Sequence, residues 1–481
     1  MSAMIALGIG VSAAPALAGD RELLSALNTG LGPVVSASQA AAGGTPSLVQ
    51  THYDRARDLQ EKLRAAAPLS PSCTSLGGWA NRYVSAEVAS AESFDRLAPA
   101  DARRWRAIAN TARARFAAAR RACTPGAARR VRKVPALVDP RPWAATFGAI
   151  SARTPQGATS ATLMAGSQTA GPLALGKGLA SARLSGTAAQ YNLKVEFSDG
   201  EETVGIAESP HVWLLPASAD AAIREATLDA DLQARVRAEA ARFSGRTGVW
   251  VHNLATGDAA SWNAGAEFPA ASTVKLGVLV AALSLMGPQP EGSASFHDVR
   301  ALATWSSNVA SNRLLRKIGG PAVAQAALRR MGATSSTFTG PYTVATAVPD
   351  VDAPAPPPRV SARVTTAYDL ATVMRTIHSA ALGEAESLRA TGMSRAQARL
   401  ALGVLLSSET RGDNRGILRQ SVVIGEPAAQ KHGWISSARH SAGIIYTSRG
   451  PVVVAVLTFK KGVTRAEAAA LGNAIVRIAT S

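Results

Sequence analysis

The sequence FPAASTVKLGVLVAAL, residues 268–283, places Ser272 three residues before Lys275 at the start of a long apolar run. If a helix begins at Ser272, both side chains lie on one face, and the hydroxyl lies at the positive end of the helix dipole. A lysine amine whose pKa is lowered by burial or by a second cation can accept the serine proton. The pair could therefore be a nucleophile and its base. A helix-capping serine followed by a surface lysine has the same spacing.

Two further segments carry polar residues that could complete a site. In TWSSNVASNRLL, Ser306 and Asn308 are two positions apart, so an extended loop directs both side chains to one side. Asn312 follows one helical turn later, where it could hold this loop. In QKHGWISSARHSAGIIY, Lys431 and Gly433 share one face of a predicted strand. This lysine would offer positive charge, and this glycine would let a substrate backbone approach closely.

The three segments, in this order, resemble the signature of the penicillin-recognising serine hydrolases, which is SxxK, then SxN, then KTG. The resemblance is closest to the class A β-lactamase-like group and covers residues 219–481. The neighbouring text agrees, with HNLATGD before the serine, SNRLL after the SxN element and KHGW at the third element. The resemblance implies an α+β domain in which helices pack on an antiparallel sheet.

The resemblance also implies a role for each matching residue. Ser272 would be the nucleophile that forms an acyl-enzyme, and Lys275 its base. Ser306 would relay a proton to the leaving nitrogen, and Asn308 would contact the substrate amide. Lys431 would bind the substrate carboxylate and help to keep Lys275 neutral.

The resemblance implies an oxyanion hole made by the backbone N–H groups of Ser272 and Trp434. Gly433, which would contact the substrate, directly precedes Trp434 in the chain. One such donor typically contributes roughly 3 to 4 kcal/mol to the stability of the transition state. The resemblance implies no cofactor and no metal. The seven histidines are scattered without a ligand pattern.

The sequence departs from the class A pattern. The middle residue of the SxN element is Ser307, where the class has aspartate, and the middle residue of the KTG element is His432. The class also uses a glutamate on the loop after the SxN helices to activate the deacylating water. No glutamate occurs between Glu291 and Glu384.

Asp350 and Asp352 are the acidic residues nearest to the place of the missing glutamate, counting back from RVTTAYDL. Either could be a shorter substitute base, although acidic residues beside a proline run are more often solvated turns. The acylating residues are thus all present by type, whereas deacylation lacks its expected base. We expect slow product release.

The elements of residues 219–481 follow from their periodicity. A helix is predicted over residues 229–243, then two strands around Thr256-Gly257-Asp258, then the helix of Ser272 and further helices to about residue 406. The chain closes with the strands SAGIIYTS and PVVVAVLTF and a last helix. Strands at both ends of a helical block indicate one antiparallel sheet with helices packed on it.

Two modules are predicted before this domain. Residues 20–136 form a helical module, with apolar residues at helical spacing in 46–66, 73–96 and 99–122. Residues 137–218 form a small β-sandwich, since YNLKVEFSDGEETVGIA alternates apolar and polar residues around a turn.

Residues 1–18, MSAMIALGIGVSAAPALA, are apolar and end like a signal-peptidase site, so we expect export. No basic residue precedes Arg21, and a small N-terminal helix is the alternative.

In an exported chain, Cys73 and Cys123 are expected to form a disulfide, which would stabilise the fold by about 4 kcal/mol. The alternative is two buried thiols.

The formal net charge is +18, and the densest basic run is residues 101–133. Nucleic acid could bind such a run, but export argues against this partner. An anionic cell-envelope surface fits better, and a solvated helix face is the alternative without a partner.

The leading hypothesis is an exported serine hydrolase that forms an acyl-enzyme with a β-lactam or with a peptidoglycan-derived peptide. Within the same class, a D-Ala peptidase or transpeptidase is the alternative. The alternative from another class is a non-catalytic protein that binds peptidoglycan and retains the fold.

Overall fold

The computed structural model describes residues 18–66, 69, 71–95, 99–123, 137–166, 168–176, 178–200, 203–293, 295–342, 363–408, 416–418 and 426–481. The chain divides into two compact units, of which the first includes the described residues 18–123 and the second those from 137 onward. Among the described helices, none combines the length and the apolar character needed to cross a membrane.

The first unit is helical, as predicted, although its first helix, which begins at Ala18, was not among the predicted segments. Its helices are α1 Ala18–Ala40, α2 Pro46–Ala65, α3 Pro71–Asp95 and α4 Pro99–Ala122. The predicted disulfide is confirmed, since Cys73 near the start of α3 is bonded to Cys123, which follows α4. Residues 1–17, most of the predicted signal segment, lie outside the described residues.

Residues 137–214 of the second unit form two sheets. One contains β1 Leu137–Asp139, β3 Ala149–Arg153, β6 Ala174–Gly176 and β7 Leu179–Arg183, and the other contains β2 Ala145–Thr146, β4 Ser160–Ala165, β5 Gln168–Ala170, β8 Gln190–Ser198 and β9 Thr203–Leu214. The predicted hairpin is β8 with β9. Alternate residues of β8, Leu193, Val195 and Phe197, are buried in a cluster with residues of both sheets.

The main sheet of the second unit has six strands in the order β10-β12-β11-β17-β16-β15. These strands are β10 Thr227–Leu228, β11 Arg246–Asn253, β12 Asp258–Trp262, β15 Ala428–Ile435, β16 Ala438–Thr447 and β17 Gly450–Phe459. All neighbours are antiparallel except the short pair of β10 and β12. A separate pair joins β13 Phe268–Pro269 to β14 Val364–Thr365.

Helices cover both faces of this sheet. The described helices after β10 are α5 Ala230–Ala241, α6 Lys275–Leu285, α7 Phe296–Thr304, α8 Asn308–Ile318, α9 Pro321–Arg330, α10 Ala367–Leu382, α11 Ala385–Thr391, α12 Arg395–Leu406 and α13 Arg465–Thr480. Successive residues of β17 from Val452 to Leu457 belong alternately to two apolar clusters. Because side chains of a strand alternate between faces, one cluster lies on each side of the sheet.

Helix α12 packs closely on the segment between β1 and β2. A Cβ added to Gly403 of α12 would lie 1.8 Å from the carbonyl oxygen of Trp143. The Trp143 ring is stacked on the His211 ring with 4.0 Å between centroids, and the guanidinium carbon of Arg300 in α7 lies 3.6 Å from its centre. The boundary predicted at residue 218 stays a prediction.

Candidate active site

Ser272 lies in the turn that leads into α6, whereas the sequence predicted a helix that begins at Ser272. The helix begins at Lys275, whose N–H donates to the Ser272 carbonyl at 3.3 Å. Ala271, with φ of 49°, enters this turn in the left-handed region. Hydrogen bonds from residue i+3 back to residue i continue from this turn into the helix. Ser272, just before the helix, is half-buried, and Lys275, its first residue, is fully buried.

The Lys275 amine joins the first predicted motif to the second. Its Nζ donates to the Ser306 carbonyl oxygen at 2.5 Å and to Asn308 Oδ1 at 2.6 Å, and lies 3.5 Å from Ser306 Oγ. Ser306 has φ of 63°, so this backbone is also in the left-handed region. The predicted convergence of Ser306 and Asn308 on one place is therefore present around the lysine amine.

The Lys431 amine reaches the same serine from the third motif. Its Nζ donates to Ser306 Oγ at 2.8 Å and to the carbonyl oxygen of His432 at 2.6 Å. Burial, and after it the charge of Lys275, hold the pKa of Lys431 well below its usual range. Two buried amines thus flank one hydroxyl, an arrangement that can move protons between them.

Gly433 lets β15 lie directly against the turn of the serine. A Cβ added there would lie 2.6 Å from the backbone nitrogen of Ser272 and 2.9 Å from that of Thr273. The sequence interpretation was that the glycine admits a substrate backbone; its nearest neighbours are instead atoms of the chain itself. The contact brings the Ser272 N–H next to the strand in which half-buried Trp434 follows Gly433.

The structure shows where the two residues that depart from the class A motifs, Ser307 and His432, lie. Ser307 is the N-cap of α8, where its hydroxyl accepts from the Ala310 N–H at 3.0 Å, a role that serine and aspartate perform equally well. His432 points to the opposite side of β15 from Lys431 and is buried. Burial, with the charges of both lysines, lowers its pKa well below the usual range, so this imidazole is neutral near pH 7.

Asn312 binds a different loop from the one predicted. Its amide donates to the carbonyl oxygen of Tyr342 at 2.7 Å and accepts from the Tyr342 N–H at 2.7 Å. The Tyr342 ring centre lies 4.3 Å from Lys275 Nζ, and its hydroxyl donates to the Ala271 carbonyl at 3.4 Å. Sequence reasoning missed Tyr342. The available signal was an aromatic residue, in GPYT, on the loop where a glutamate was sought.

Asp350 and Asp352 lie outside the described residues, so their role as substitute bases stays a prediction. Among the residues that the structure does describe, no group of three or more His, Cys, Asp or Glu side chains could hold a metal ion.

The model of the β-lactamase enzyme family matches residues 230–288 and 289–481, which together are more than half of the chain. The chain belongs to the β-lactamase enzyme family. All residues of the three motifs lie within the matched ranges. A search of curated proteins found no match.

Solved structures similar to this β-lactamase-family chain cover its C-terminal half. PBP-A is 19% identical with a TM-score of 0.42, covering 53% of this chain and 98% of PBP-A. A mutant of PBP-A in an acyl-enzyme complex with penicillin G is 18% identical with a TM-score of 0.41, covering 53% and 98%. A β-lactamase from Sphaerobacter thermophilus is 20% identical with a TM-score of 0.42, covering 53% and 96%.

Proposed function

We propose that this chain is an exported serine hydrolase that forms an acyl-enzyme through Ser272 with a β-lactam or a cell-wall peptide amide. The observation that carries the proposal is the convergence of the two buried amines, Lys275 and Lys431, on Ser306. This convergence lies beside the Ser272 turn, because β15 packs on that turn at Gly433. Membership of the β-lactamase family supports the reaction class.

In the proposed acylation, Ser272 Oγ attacks the carbonyl carbon while its proton passes to Lys275. The amide C–N bond breaks, and the leaving nitrogen receives a proton through Ser306. Two adjacent buried ammonium groups repel each other, and this repulsion, after burial, lowers the pKa of Lys431; in this proposal the same repulsion favours a neutral Lys275 beside a charged Lys431. One amine of the pair is then able to accept the serine proton.

The remaining residues bind the substrate in this proposal. The N–H groups of Ser272 and Trp434 stabilise the oxyanion, and Asn308 contacts the substrate amide. Lys431 attracts the substrate carboxylate. Removal of the acyl group requires a base that activates water, and the glutamate that class A enzymes use is absent, so we propose that deacylation is slow.

The test is intact-protein mass spectrometry over time after penicillin is added to the mature protein and, as a matched control, to the Ser272→Ala variant. We expect a persistent adduct of the mass of the drug on the first protein and none on the variant. Rapid drug hydrolysis without a lasting adduct would contradict slow deacylation and make Asp350 and Asp352 the next residues to mutate.

Other outcomes point to the alternatives. If penicillin neither acylates nor is hydrolysed, but peptides ending in D-Ala are cleaved in a Ser272-dependent manner, the protein is a peptidase. If purified peptidoglycan sacculi are bound equally by the protein and by Ser272→Ala, with no acylation by any probe, the protein is a non-catalytic binder.

The proposal also assigns roles to residues 1–218, which precede the serine hydrolase domain. Residues 1–18 direct export, residues 20–136 form a helical domain and residues 137–218 a β-sandwich-like domain. The basic run 101–133 meets an anionic cell-envelope surface. The single buried cluster shared by the two sheets of residues 137–214 supports the sandwich, and the exposed arginines of α4 support the basic surface.

A further inference from the structure

Tyr342 is the described residue through which the loop after α9 reaches the Ser272 site. Its side chain is only 8% exposed. The ring centre lies 4.3 Å from Lys275 Nζ, and the hydroxyl donates to the Ala271 carbonyl, next to Ser272 in the chain. The ring therefore extends from the amine of the proposed base to the turn of the proposed nucleophile.

Tyr342 is held firmly in this place. The Asn312 side chain binds both its backbone N–H and its carbonyl, at 2.7 Å each. The guanidinium carbon of Arg363 lies 4.1 Å from the ring centre, and the Phe338 ring meets it edge-on with 5.9 Å between centroids. A ring with these neighbours cannot swing aside without breaking several contacts.

The chemistry of this side chain differs from that of a base. Burial raises the pKa of the Tyr342 hydroxyl, so it stays protonated near neutral pH and acts as a donor. The face of the aromatic ring, which lies against the Lys275 amine, has no lone pair that could accept a proton from water. Tyr342 thus fills the space between the Lys275 amine and the Ala271 carbonyl without offering a group that activates water.

We infer that Tyr342 sets the lifetime of the acyl-enzyme, because its ring covers Lys275 on the side from which this loop reaches Ser272. The inference rests on the proposed function. In acylation the Ser272 Oγ–C bond forms, the lactam C–N bond breaks and the ring nitrogen takes the serine proton. In release, water attacks the ester carbon, the bond to Ser272 Oγ breaks and a water proton returns to this oxygen. Tyr342 acts on the second step by excluding water and a base from one side.

The experiment replaces Tyr342 in the full chain and follows the penicillin adduct by intact mass. Tyr342→Glu sets a carboxylate at about the position of the ring, and Tyr342→Gln is its matched control of equal shape without charge. We expect Tyr342→Glu to shorten the adduct half-life by at least about 10-fold relative to Tyr342→Gln, since a general base typically contributes about 100-fold or more. This gain is lost as the pH falls below the range of the new carboxylate, a dependence that a merely structural change does not produce.

A second variant keeps the inference testable if a buried carboxylate prevents folding. Tyr342→Ala opens the space of the ring, and added formate is then expected to accelerate adduct decay in the variant but not in the unmodified protein.

Each outcome has one meaning. If a Ser272-dependent adduct forms and its half-life is the same in Tyr342→Glu, in Tyr342→Gln and in formate-treated Tyr342→Ala, the inference is wrong and the proposed function stands. If the adduct decays rapidly and Asp350→Asn or Asp352→Asn slows it, the inference is also wrong, because a base from elsewhere reaches the ester. If no Ser272-dependent adduct forms with any probe, the proposed function fails and the inference fails with it.

Discussion

Two residues at the site hold a backbone conformation that L-amino acids seldom adopt. Ala271 and Ser306 have φ of 49° and 63°, and neither is a glycine. Each such residue costs roughly 1 kcal/mol or more and persists only where its surroundings hold it. The Lys275 bond to the Ser306 carbonyl and the Tyr342 bond to the Ala271 carbonyl are contacts of this kind. The strained residues thus lie where the proposed nucleophile and proton relay must be oriented.

At Gly433, we predict that a methyl group impairs acylation. In Gly433→Ala the new Cβ would lie 2.6 Å from the Ser272 nitrogen, so β15 or the turn must shift, and the proposed oxyanion donors shift with it. Loss of one such donor typically lowers the rate by about 100-fold or more, and we expect a similar loss in the rate of penicillin adduct formation. Gly265→Ala, with nothing within 4 Å, is the matched control. Equal rates in both variants would contradict this account of the glycine.

At His440, we predict a loss of stability in mild acid. Nδ1 accepts from the Thr458 N–H at 3.1 Å and Nε2 donates to the Pro269 carbonyl at 2.7 Å, and burial lowers the pKa to about 4. The unfolded chain, with an ordinary pKa near 6.5, binds the proton first. The free energy of unfolding therefore falls as the pH drops from about 6.5 towards 4, by up to about 1.4 kcal/mol per pH unit.

The measurement is the thermal midpoint of unfolding between pH 7 and pH 4. His440→Gln is expected to be less stable at pH 7 but to lose less stability on acidification than the unmodified protein. His378, whose pKa is lowered by burial to about 3, contributes a dependence of the same sign and remains in both proteins. Parallel pH curves for the two proteins would refute the assignment to His440.

At the level of elements, α12 connects the sheets of residues 137–214 with the helical layer over the main sheet. Arg399 of α12 forms an ion pair with Asp139, and Ser407, which follows the helix, accepts a hydrogen bond from Trp213 Nε1 at 2.9 Å. These contacts and the close approach at Gly403 predict that the two parts unfold together. A free-standing catalytic domain that begins at residue 219 would expose this surface of α12.

We therefore predict that Gly403→Ala destabilises the second unit, although alanine normally favours a helix. The Cβ would lie 1.8 Å from the Trp143 carbonyl oxygen, so α12 must move away from the β1–β2 segment. Overpacking of this kind typically costs about 1–3 kcal/mol, more than the gain of up to about 1 kcal/mol from helix propensity. Denaturant unfolding measures the change, with Gly287→Ala, which has nothing within 4 Å, as control. A stabilised Gly403→Ala would show that this contact is not rigid.

At the level of the whole molecule, part of the excess positive charge lies on the exposed surface of α4. The helix contains Asp101 as its one acidic residue, and exposed arginines extend from Arg103 to Arg121. Arg103 and Arg121 are five helical turns apart and so lie on one stripe. Since a basic residue near an anionic membrane contributes about 1 kcal/mol, we expect this surface to bind anionic lipids without a specific pocket.

We predict that the protein sediments with phosphatidylglycerol vesicles, that it does not sediment with phosphatidylcholine vesicles, and that salt weakens binding by screening. Replacing Arg103 and Arg121 by glutamate is expected to weaken binding by about 10-fold or more. Replacing the exposed Arg329 and Arg330 of α9 by glutamate changes the net charge equally and is the matched control. Equal weakening in the two double variants would mean that net charge, not α4, determines binding.

Sequence reasoning was reliable where the pattern is local. The period of apolar residues predicted α2, α3 and α4 of the first unit but not α1, together with the hairpin of β8 and β9 and the mainly antiparallel sheet, because periods of 3.6 and 2 reflect which side chains face the core. Two cysteines in the chain left one possible intramolecular pair. The spacing of Ser272, Lys275, Ser306, Asn308 and Lys431 identified the family, because a motif keeps its residue types in order along the chain.

Contacts between distant segments were decided only by the tertiary structure. Asn312 and Tyr342 are 30 positions apart, and no period or motif relates a helix to the path of a later loop. In the same way, only the packed sheet showed that Gly433 faces the backbone of Ser272 and that Gly403 faces Trp143. Local patterns record burial and backbone preference, whereas the partner of a buried side chain depends on how separate elements pack.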